Sequence, residues 1–114
     1  MPVVELLLET ARQDTDLLTK NDAKGDHFSR PRAVDFLLKA PTKEKPELVA
    51  SFVDDNRYGV SKVQEAQGEY GVLVTIHMPT EQHILCSVSG LMACICALFG
   101  LEYDGWGCVL QTDT

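Results

Sequence analysis

Hydrophobic and polar positions along this chain follow two periods, and the switches between them mark its elements. Over residues 2–21, Val4, Leu7, Leu8, Ala11 and Leu18 recur at helical spacing, while Glu5, Glu9, Arg12, Asp16 and Lys20 fall mostly elsewhere. This predicts an amphipathic helix. Gly25 and the turn-rich NDAKGDHFSRP end it. RAVDFLLK then alternates in steps of two, with Val34, Phe36 and Leu38 on one face and Ala33, Asp35 and Leu37 on the other. Thr42 reads as the N-cap of a second helix reaching about Asn56, with Leu48, Val49, Phe52 and Val53 as its apolar side and Pro46 in its first turn.

Residues 60–66 form a short strand, and the turn around AQGEYG leads into the clearest strand of the chain. There Tyr70, Val72, Val74, Ile76 and Met78 alternate with Gly71, Leu73, Thr75 and His77. Pro79 stops it, Thr80 caps a helix running to Phe99, and Gly100 closes that helix. Residues 101–111 are the last strand. The order β-α-β followed by β-α-β predicts an α+β fold, a ferredoxin-like sandwich with a four-stranded antiparallel sheet and two helices on one face. One domain spans residues 1–114, with an additional N-terminal helix over 1–24 and the sandwich over 31–111.

The third helix lacks a wet side. Leu85, Val88, Leu91, Met92, Ile95 and Phe99 make its core stripe, yet no charge appears on it after Glu81. Cys86, Gly90, Ala93 and Ala97 line its opposite side as a track of small residues, so a second element should cover it: the first helix, or a second copy in a homodimer.

Charge changes the picture next. The net charge is −7, and residues 63–114 contain six acids with no lysine or arginine. Such a pole favours basic protein partners and excludes direct nucleic-acid binding, which needs clustered cations. No apolar stretch of membrane-spanning length is expected, and the N-terminal segment, with Glu5 inside its apolar run, does not read as a signal peptide. A cytoplasmic location with reduced cysteines follows.

Candidate chemistry is thin. Cys94 and Cys96 point about 200° apart on a helix and cannot clamp one ion. His27, His77 and His83 form no recognisable catalytic set, so no metal, cofactor or reaction is expected; an acid–base pair of His77 with Asp35 or Asp104 is the weakest reading. In the last strand, plain alternation puts Glu102, Asp104, Trp106 and Cys108 on one face and Leu101, Tyr103, Gly105 and Gly107 on the other. Trp106 is then either a core residue whose neighbouring glycines make room, or the anchor of an acidic patch on the helix-free face, joined by Asp35 and His77.

The segment LEYDGWG resembles the closing signature of the regulator of ribonuclease E activity B (RraB) family, small acidic bacterial proteins. Gly25-Asp26 with Arg32, Val34-Asp35-Phe36, Tyr58-Gly59-Val60 and Met78-Pro79 agree in order, so the similarity covers about residues 3–110. The resemblance implies a ferredoxin-like, non-catalytic regulator that binds the endoribonuclease RNase E, mainly in its arginine-rich scaffold half, and lowers RNA cleavage. Tyr103, Asp104, Gly105, Trp106 and Gly107 carry over as the family motif. With Asp35, His77 and Glu102 they make up the candidate partner-binding set. The alternative is a small-ligand-sensing ferredoxin-like dimer whose seam is the Cys86, Gly90, Ala93 and Ala97 track.

Overall fold

The computed structural model describes residues 2–113. Its elements are α1 (Val3–Ala23), β1 (Arg32–Ala40), α2 (Lys45–Asp55), β2 (Val60–Ala66), β3 (Glu69–Met78), α3 (Gln82–Phe99) and β4 (Glu102–Cys108). The strands form one sheet in the order β2-β3-β1-β4, every neighbouring pair antiparallel. With α2 and α3 packed against it, this is the expected ferredoxin-like sandwich, and α1 is the additional helix.

Strand alternation fills the core. Val34, Phe36 and Leu38 of β1 and Val72 and Val74 of β3 point to the helical side, where Val49 and Val53 of α2 and Leu85, Met92 and Ile95 of α3 meet them in full burial. Each such side chain contributes about 1.5–3 kcal/mol relative to exposure, so this layer dominates the stability. By length and composition α3 is apolar enough to cross a membrane, contrary to the expectation of no such stretch. Its place accounts for that: the sheet covers one side and α1 a second.

Several local expectations are corrected. The first is the face that α1 buries. Val4 and Leu8 are 69% and 68% exposed, whereas Thr10, Asp14, Leu18 and Asn21 are buried against the body. The helix is turned so that hydrogen-bonding side chains, rather than the widest apolar stripe, meet α3 and β4. α2 begins at Lys45 with Pro46 in its first turn and Glu44 before it, so Thr42 is not its cap, and Leu48 faces solvent. Thr80 is not the cap of α3 either; it is buried, its N–H donates to the Phe28 carbonyl, and Glu81 takes the cap position without a side-chain bond. Gly100 does close α3, in the left-handed region. β4 stops at Cys108, three residues before the expected end at 111.

The loop between α1 and β1 is held by a buried ion pair. Arg32 Nη1 lies 2.7 Å from both Asp26 oxygens, and its Nη2 donates to the His27 and Arg30 carbonyls. Asp26 also accepts the Gln111 N–H, which ties the segment after β4 to this loop. Asp113 strengthens that attachment from the surface through Arg30 at 2.6 Å and His27 at 2.9 Å. At the opposite edge of the sheet, Asp54 of α2 accepts both the N–H and the hydroxyl of Ser61, closing part of β2 to a further strand.

Candidate functional site

The helix-free side of the sheet is built by the second half of each strand's alternation. β1 places Asp35, Leu37 and Lys39 there, directly opposite Thr75, Leu73 and Gly71 of β3. β2 adds Lys62 and Gln64, opposite Leu73 and Gly71. Among the described residues no helix packs on this side: α2 and α3 lie against the other, and α1 lies on α3. Leu37 and Leu73, a cross-strand pair at the centre, are consequently left half-buried. Polar pairs flank them. Thr75 Oγ1 donates to Asp35 Oδ1 at 2.6 Å, and Lys39 Nζ stands 3.6 Å from Asp104 Oδ2.

The position of Trp106 depends on a bulge in β4. In register, Phe36 opposes Trp106 and Leu38 opposes Tyr103, so Asp104 and Gly105 together stand against the single residue Leu37. Gly105 has φ +87°, a left-handed conformation that a side chain resists and that a bulge of this kind uses. The extra residue shifts the alternation by one. Asp104 stays on the uncovered side with Glu102, while Trp106 turns to the side of Phe36, beneath the helices. The expectation that plain alternation holds through the strand, placing Trp106 beside the acids, is therefore overturned. Asp35, His77, Glu102 and Asp104 share the uncovered side; Tyr103 and Trp106 do not, and Gly105 and Gly107 serve the strand's course.

Both aromatics carry polar tips into the seam under α1. Trp106 Nε1 donates to Asp14 Oδ1 at 3.0 Å, and Tyr103 Oη lies 2.8 Å from Ser89 Oγ. Burial pushes the Asp14 pKa up, against the lowering effect of the neighbouring Ser89 hydroxyl and the Trp106 N–H. Its Oδ2 is buried without a hydrogen-bond partner among the described residues. Burial also raises Tyr103 and holds the Cys96 thiol up at about 12, so neither ionises near neutrality. The small-residue track of α3 is occupied within one chain: Ala93 is fully buried, Gly90 sits under Leu7 of α1, Cys86 is half-buried, and only Ala97 remains exposed. The seam reserved for a second copy thus holds α1 over most of its length.

Among the described residues no group of three or more His, Cys, Asp or Glu side chains could hold a metal, and the four cysteines are free thiols. Asp35 is engaged by Thr75 rather than His77.

Two features escaped the sequence reading. The first is the buried Asp14, which shares a helical face with Leu7 and Leu18 by spacing, and that spacing is the available signal. The second is a groove of about 600 Å³ at one end of the uncovered side, bounded by Leu37, Lys39, Gln64, Tyr70, Gly71 and Glu102 among others. Gly71 is part of its lining; a Cβ there would lie 2.8 Å from the Leu38 carbonyl oxygen, so the approach of β3 to β1 at this point requires glycine.

Among curated proteins, none matches the chain. The sequence model of the family described as "Regulator of ribonuclease activity B" matches residues 11–108, from the middle of α1 to the last residue of β4. That span takes in the bulged YDGWG motif, the Asp26–Arg32 pair and the whole sheet, and the chain accordingly belongs to the RraB family.

Proposed function

We propose that this protein is a non-catalytic, cytoplasmic regulator that lowers RNA cleavage by binding a ribonuclease, RNase E being the first candidate, through the uncovered side of its sheet. The observation that carries this reading is that side itself: a half-buried Leu37–Leu73 pair, no helix above it, and acids around it, in a chain of a family of ribonuclease regulators. Apolar centres with polar rims are where protein partners gain most of their binding energy. The excess of negative charge suits an arginine-rich partner and hastens the encounter.

The test is a titration of the purified protein into the scaffold half of RNase E by calorimetry, beside an RNA-cleavage assay. Wild type should bind and slow cleavage, with affinity falling as salt rises. Leu37→Glu with Leu73→Glu should lose at least about tenfold in affinity, about 1.4 kcal/mol, while keeping its circular dichroism spectrum. Wild-type binding by that variant would remove the sheet side from the account; no binding by wild type would remove RNase E.

A further inference from the structure

We infer that the groove beside Gly71 is a receptor for the side chain of an arginine in an extended segment of the partner. Its shape and its charges converge on that ligand. The missing side chain of Gly71 leaves a trough between Lys39 and Gln64, its opposite neighbours on β1 and β2, with the half-buried Leu37 as an apolar end. An aliphatic stem fits such a floor, as long cationic side chains lay their methylenes on apolar surface while the charged head reaches for anions.

The anions are in place. Glu69, at the start of β3, and Glu102, at the start of β4, both line the groove, and neither side-chain carboxylate makes a hydrogen bond or ion pair among the described residues. Among the described residues lining the groove the one cation is Lys39, which lies 3.6 Å from Asp104 on the adjacent strand and so leaves the two glutamates in excess. A guanidinium offers donors to two carboxylates at once, in fixed directions, which a lysine ammonium does not. This deepens the proposed function and rests on it for the identity of the partner, but not for the chemistry of the groove.

The experiment is a titration of the ¹⁵N-labelled protein with a blocked Gly-Arg-Gly-Arg-Gly peptide and with the same peptide carrying neutral citrulline in place of arginine. The expected result is movement of the Lys39, Gly71, Leu101 and Glu102 amide signals by the arginine peptide. Affinity should be about tenfold lower for citrulline and for the exposed double substitution Glu69→Gln, Glu102→Gln. Equal response to both peptides, or movement confined to other surfaces, would overturn the inference. The same double variant is then titrated with the RNase E scaffold half. Undiminished binding there overturns the inference and leaves the proposed function standing. Failure of wild type to bind the scaffold overturns the proposed function, and the peptide titration still decides the groove.

Discussion

Replacing Trp106 by Phe isolates the contact that fastens α1 to β4. The ring is largely retained, but the Nε1 donor to Asp14 is lost, leaving a buried carboxyl with neither oxygen bonded to that strand. A hydrogen bond to a charged group contributes about 1.5–3 kcal/mol. The smaller ring adds a void worth roughly 1 kcal/mol, so the total loss is about 2.5–4 kcal/mol. At about 4 °C per kcal/mol for a chain of this length, Tm should fall by about 10–16 °C.

Asp14→Asn should act in the opposite sense. It keeps an oxygen for the indole and places no charge in the seam, so at neutral pH it should gain about 1 kcal/mol. The pH dependence follows from the direction of the shift. Burial raises the Asp14 pKa, so the folded protein retains this proton to higher pH than the unfolded chain does. Stability is therefore lost as pH climbs from the ordinary carboxylate range, about 4, through the raised value. Asparagine carries no such proton. Its advantage should vanish below about pH 4 and grow as pH rises through the raised value. Urea unfolding of wild type, both single variants and the double variant at the two pH values measures all of this, with the double variant losing less than the sum of the singles. A cost below about 0.5 kcal/mol for Trp106→Phe, or an Asp14→Asn effect independent of pH, would refute the buried bond.

Two further outcomes follow from the same geometry. Arg32→Met should cost about 3–5 kcal/mol in denaturant unfolding, because Asp26 is left as an unpaired buried charge. Gly105→Ala should cost about 1–2 kcal/mol by backbone strain alone, since nothing lies within 4 Å of the added methyl, and should leave the Trp106 emission maximum unchanged.

The layered architecture was legible because its signals are local and periodic. Alternation in RAVDFLLK and in residues 70–78 assigned both faces of the two central strands, and the charge-free third helix announced that two of its sides would be covered. Periodicity fails where one residue breaks the count. The bulge at Asp104–Gly105 opposes two residues to Leu37, and simple alternation carried across it places Trp106 on the wrong side. The rotation of α1 was hidden for a different reason. Its buried face is set by partners distant in sequence, Trp106 and Ser89, which reward Asp14 over Val4 and Leu8. Asp26 and Arg32 stood out as family residues before the structure supplied their physical role.

The most direct test of the docking surface is a methyl spectrum of leucine-labelled protein titrated with the RNase E scaffold half. Leu37 and Leu73 project from the uncovered side, whereas Leu18 and Leu85 lie in the opposite layer. The methyl signals of Leu37 and Leu73 should shift or broaden while those of Leu18 and Leu85 stay in place. Shifts led by Leu18 and Leu85, with Leu37 and Leu73 unmoved, would contradict the account.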